Sequence, residues 1–160
     1  MDTKELMIGD WVKVLPISHK VEPHYDRIES IRKEYTGQIC IEGGYHNREH
    51  KGVGDWFDWS VGLGYIAPIP LTAEILQKNG FSIKEGGYIM TLAIEDTFTM
   101  NLDDKYGQHK WSIIITNGPW NIKIKVFGML AISIVIESVH ELQHALRLVG
   151  LNEVADNLKC

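Results

Sequence analysis

An α+β fold is predicted by three features of the sequence. Short runs rich in β-branched and aromatic residues, each bounded by Gly, Pro or charged residues, fill most of the chain. Two segments carry helix start and stop signals at both ends, and no internal repeat or long linker interrupts the series. The expected architecture is a single compact domain over residues 1–160. It has a β-rich, SH3-like N-terminal half (1–70), then an antiparallel sheet with a short central helix and a C-terminal helix packed on it (71–160).

The elements follow in order. IGDWVKV (8–14) places a Gly-Asp turn ahead of a strand carrying Trp11 and Val12, the pattern of the first strand of an SH3-like barrel. YDRIESI (25–31), GQICIEG (37–43), WFDWSVG (56–62) and GYIAPIP (64–70) read as further short strands of a strongly bent sheet. PLTAEILQKNGF (70–81) gives a helix over 73–79. Thr72 is its N-cap, Leu71 and Leu76 form a hydrophobic staple, and Gly80 with Phe81 forms the stop. GYIMTLAIED (87–96), TFTMNLD (97–103), WSIIITN (111–117) and NIKIKVF (121–127) predict an antiparallel meander, with Asn117-Gly118 as a turn. AISIVIES (131–138) is one more strand, and SVHELQHALRLVG (138–150) is the C-terminal helix.

Composition narrows the function classes. A chain of 160 residues that is 44% hydrophobic and 23% charged can bury one core, and its formal charge of -5 gives no overall attraction to nucleic acid or anionic membranes. The longest apolar run, residues 126–136, is about 11 residues, well short of the roughly 20 a membrane-spanning helix needs. Cys40 and Cys160 form neither a disulfide framework nor a C-x-x-C knuckle, and the N-terminus lacks a secretory signal. The expectation is a cytoplasmic protein in a reducing compartment.

One motif carries specific chemistry. His140-Glu141-Leu142-Gln143-His144 spells H-E-x-x-H, in which two imidazoles one helical turn apart hold zinc and the glutamate acts as base on the bound water. A catalytic site needs a third ligand. In the extended form of the motif the required Gly and His fall on Arg147 and Gly150, and the residues after His144 leave no room for a glutamate on the usual antiparallel helix. The same letters also have a structural reading. Ser138 and Glu141 make a Ser-x-x-Glu capping box, and Gly150 closes the helix. Val139, Leu142, Ala145, Leu146 and Val149 form its apolar stripe. His140, His144 and Arg147 fall on roughly the opposite face and are expected to meet solvent or a partner.

Other stretches have simpler readings. GLGYIA (62–67) matches a variant dinucleotide fingerprint, but Pro68 and Pro70 forbid the helix that would hold the pyrophosphate. Trp56, Phe57, Trp59 and Tyr65 cluster in sequence as a candidate binding platform, with core packing as the alternative. His46, Arg48, His50 and Lys51 read as a solvated loop; beside the aromatics they offer a weak nucleic-acid contact.

Residues 5–12 (ELMIGDWV), 69–81 (IPLTAEILQKNGF) and 139–150 (VHELQHALRLVG) together resemble a family of small uncharacterised proteins found in Bacteroides-type gut bacteria and in their phages and mobile elements. That family carries no established activity, so the resemblance implies no catalytic role for His140, Glu141 or His144. The chain departs from the shorter members by its 16–35 stretch. The favoured expectation is a non-enzymatic interaction or accessory protein, phage- or mobile-element-encoded, with a protein partner and no cofactor. The alternatives are a zinc-dependent hydrolase with His140 and His144 as ligands and Glu141 as base, and a weak nucleic-acid-binding module in the N-terminal half.

Overall fold

The computed structural model describes residues 6–16, 22–43, 59–84, 88–89, 92–93, 97–103, 109–116 and 120–160. The protein is β-rich and antiparallel throughout, with few helices, an α+β architecture. Its contacts divide it into two compact units, Met1–Ile69 with Cys160, and Pro70–Lys159.

In the first unit, β1 (Trp11–Val14) pairs with β2 (His24–Arg27) and β6 (Ile66–Ala67), while β4 (Ile39–Gly43) pairs with β3 (Ser30–Lys33) and β5 (Trp59–Gly62). The stretch expected as one strand over 25–31 is thus two strands in two sheets. They part at Ile28, whose N–H is taken by the Asp10 carbonyl, and at Glu29, whose N–H goes to Glu42. Val12, Val14 and Ile66 from one sheet and Ile41 and Val61 from the other share a single buried cluster with Leu6 and Ile28. The IGDWV turn is held by Asp10, fully buried, whose carboxylate accepts the Met7 N–H at 2.7 Å. Its Gly9 takes φ +90°, a conformation that favours glycine.

The second unit opens with α1 (Ala73–Lys78), in which Thr72 Oγ1 accepts the Ile75 N–H as N-cap. The helix ends in a Schellman motif. The N–H of Phe81 bonds the Leu76 carbonyl, the N–H of Gly80 bonds that of Gln77, and Gly80 supplies φ +83°. Asn79 then behaves like a strand residue toward the C-terminal segment: its amide donates to the Lys159 carbonyl and accepts the Lys159 N–H, both at 2.8 Å.

A five-stranded sheet follows in the order β13-β12-β11-β10-β7. Its strands are β7 (Ser82–Lys84), β10 (Thr97–Asp103), β11 (His109–Thr116), β12 (Asn121–Val126) and β13 (Met129–Val135). β10, β11 and β12 are three strands of the expected meander, β13 is the strand expected over 131–138 and extends it, and β7 was not foreseen. The expected strand over 87–96 is instead a small pair, β8 (Tyr88–Ile89) with β9 (Leu92–Ala93). The Asn117-Gly118 turn lies outside the described residues. Cross-strand register places Phe98, Ile113, Ile115, Ile122 and Ile124 on one face, all fully buried, whereas Lys123 on the other face is exposed. Such one-sided alternation is the mark of a sheet covered on one face only.

The C-terminal helices are α2 (Val139–Leu148) and a short α3 (Asn152–Asp156) that the sequence reading missed. α2 starts as predicted: Ser138 is its N-cap in a capping box with Glu141. It ends in a second Schellman motif, with Gly150 at φ +80° and Leu151 bonded back to Leu146. An antiparallel bridge between Pro70 and Ser138, and a bond from the Leu71 N–H to the Glu137 carbonyl, tie the entrances of α1 and α2 together.

Candidate functional site

Helix α2 carries the H-E-x-x-H letters, and each polar side chain in them already has a structural partner. Glu141 Oε2 accepts two backbone N–H groups, from Glu137 at 2.6 Å and Ser138 at 3.0 Å. Partial burial raises its pKa, but the backbone bonds from Glu137 and Ser138, the Ser138 side chain and the nearby His140 outweigh this, so its carboxyl sits below the ordinary value. A carboxylate held ionised in this way is a weak proton acceptor, the opposite of a base tuned toward neutral pH. Its N-terminal position also suits the helix dipole.

His140 corrects the sequence reading. It was expected to face solvent, yet it is only 4% exposed, with Nδ1 at 2.9 Å from Ser138 Oγ. Gln143, one turn on, is fully buried and donates from Nε2 to the Ala155 carbonyl at 3.1 Å. Arg147 pairs with Asp156 at 3.0 Å. α3 folds back against this side of α2 at Gln143 and Arg147, where hydrogen bonds replace hydration. His144 is half-buried and meets the His140 ring edge-on, centroids 5.8 Å apart. Among the described residues no group of three His, Cys, Asp or Glu side chains is placed to hold a metal ion.

Capping predicts a measurable cost. Glu141→Ala should lower unfolding stability by about 1 kcal/mol, read as a shift in urea midpoint. Because the folded-state pKa is lowered, this contribution is fully present above the unfolded carboxyl pKa and is lost as pH falls through the folded value. The gap between the wild type and Glu141→Gln should therefore narrow in acid.

The aromatic platform is only partly described. Trp56 and Phe57 lie outside the described residues, as do His46, Arg48, His50 and Lys51; Trp59 opens β5, and Tyr65 is exposed in a 3-10 turn over Leu63–Tyr65. No helix begins after GLGYIA: residues 66–67 continue as β6. Another aromatic contact of this unit joins β1 and β2, where the Arg27 guanidinium sits 5.0 Å above the Trp11 ring.

A second candidate site is the outer edge of the large sheet. β13 is Met-Leu-Ala-Ile-Ser-Ile-Val, without one charged residue or proline, and six of its seven residues are exposed. Met129 is 73% exposed, Leu130 59% and Val135 55%. The strand is entered by a two-residue hairpin, Phe127-Gly128, with φ +49° and +79°. Both residues must be left-handed in such a turn, which suits Asn or Gly and strains a bulky side chain. Phe127 nevertheless occupies it and is 58% exposed beside Met129 and Leu130. The opposite edge, β7, is three residues long and ends in Lys84. Sequence reasoning identified the strand but not its exposure. The available signal was a charge-free run directly after a Phe-Gly turn.

Fold and site together define an α+β protein whose apolar strand β13 is an edge of its sheet among the described residues, and whose helix α2 carries a buried, hydrogen-bonded histidine. No family model, curated protein or solved structure matches the chain. Among the described residues, no helix is long and apolar enough to cross a membrane.

Proposed function

We propose that the protein is a non-enzymatic interaction protein that meets a protein partner through the β13 edge and the Phe127 hairpin tip. The observation that carries this is the seven-residue edge strand, exposed and free of charge. Edges of this kind are normally shortened, charged or covered, because their unpaired backbone groups and apolar side chains recruit other strands. Strain at Phe127 supports the same reading, since an unfavourable backbone kept at an exposed tip points to use of the side chain. The resemblance of residues 5–12, 69–81 and 139–150 supports an accessory role in a phage or mobile element, and the sequence expectation is that it acts in the cytoplasm. Two small antiparallel sheets around one core support an SH3-like arrangement of the N-terminal half.

A zinc-dependent hydrolase at His140, Glu141 and His144 is the competing reading, favoured by the proximity of the two rings. The occupied Glu141 carboxylate and the buried His140 weigh against it. One pair of measurements separates the two. A photocrosslinking residue at Val135 should capture a partner polypeptide in the source cells, and the purified protein should hold no stoichiometric zinc. Bound zinc that disappears in His144→Ala, with no capture at Val135, would overturn the proposal.

A further inference from the structure

We infer that the β13 edge is an isologous pairing surface for a second copy of this chain, giving a closed dimer with a continuous sheet. This rests on the interaction reading above and names its partner. Register is the first argument. Ile132 and Ile134 oppose the buried Ile124 and Ile122 and so lie on the core side, whereas Ser133 and Val135 oppose Lys123 and Asn121 on the other face. An antiparallel two-fold centred on Ser133 pairs Ile132 with Ile134 of the second copy and Ser133 with itself. Every pair then keeps its face, so the apolar side of one sheet continues into that of the other.

Charge is the second argument. Nothing in β13 repels an identical strand or selects a charged one, and the cations of this hairpin, Lys123 and Lys125, stand one strand back from the edge. The third is closure. A head-to-tail stack would pair β13 with β7, but β7 is three residues long and carries Lys84, so the two edges do not match. Only the two-fold arrangement uses the long edge twice and ends there.

The register shift between Ile124 and Lys125 sets the limit of the ladder. Leu130 and Ile132 oppose adjacent residues of β12, leaving Ala131 as the extra residue, so regular pairing spans residues 132–135.

Ser133→Glu is the most informative variant. Within one chain the new carboxylate faces Lys123, a favourable cross-strand pair, while at the two-fold it would meet its own copy. Sedimentation of the full-length protein across the micromolar range should give twice the 18.2 kDa chain mass for the wild type. Ser133→Glu and Ile134→Lys should give the monomer mass, Ser133→Glu retaining a cooperative thermal transition, and the exposed Leu148→Glu, off the strand, should remain dimeric. Amide hydrogen exchange at those N–H groups of residues 132–135 that face away from β12 should be slow in the wild type and fast in Ser133→Glu.

A wild type that is monomeric throughout, a dimer that survives both strand variants, or open-ended assemblies would overturn the inference. A monomer that still captures another polypeptide at Val135 sinks the dimer and leaves the interaction reading standing. A dimer without such capture upholds the inference and removes the accessory partner.

Discussion

Phe98→Ala is expected to destabilise the Pro70–Lys159 unit by about 3–5 kcal/mol, the range for removing a fully buried aromatic side chain from a packed core. Phe98 is in β10, flanked in register by Ile115 of β11 and Ile83 of β7, and its ring lies 5.7 Å from that of Trp120 at a tilt of 58°. Truncation would leave a cavity between three strands whose backbones are fixed by ladder bonds and cannot collapse into it. Urea unfolding should show a large fall in midpoint; a fall no greater than that of a surface substitution would mean that this face of the sheet is not packed as described.

His140→Ala is expected to cost about 1–3 kcal/mol, because it empties a buried site and leaves Ser138 Oγ without its ring-nitrogen partner. His144→Ala removes a half-buried ring and one edge-on contact, and should cost only about 0.5–1 kcal/mol. The asymmetry is the diagnostic feature. A pair of zinc ligands would lose metal and stability together in either variant, whereas a buried core histidine and a half-buried neighbour separate. Equal losses, each reversed by added zinc, would count against the structural role assigned to α2.

Much of this second prediction was legible in the sequence, and its key term was not. Ser138, Glu141 and Gly150 define the start and end of α2 because capping depends on residues within one turn of each terminus. The same locality made Thr72, Gly80 and Phe81 sufficient to place α1. What meets the polar face of α2 at Gln143 and Arg147 is α3, which is five residues long with no side-chain N-cap bond and reaches α2 through the Gln143 amide and Asp156. A period of 3.6 residues marks which face of a helix is apolar, but not what later covers the polar one.

The sheet divides in the same way. Alternation along residues 97–103, 111–116 and 121–126 marked the strands, since a two-residue period is a property of each strand alone, and the short connection with Asn117-Gly118 implied antiparallel pairing. That the segment over 25–31 parts into two sheets at Ile28, and that β7 joins β10 across the intervening chain, was decided by pairing partners distant in sequence. By itself, then, the sequence determined the α+β class, α1 and α2 with their caps and the strands β10 to β13, because local backbone chemistry and periodicity govern each. Only the tertiary structure decided that His140 is enclosed and that β13 is left at an open edge. Burial and edge position are properties of what lies alongside an element, and no single segment encodes its neighbours.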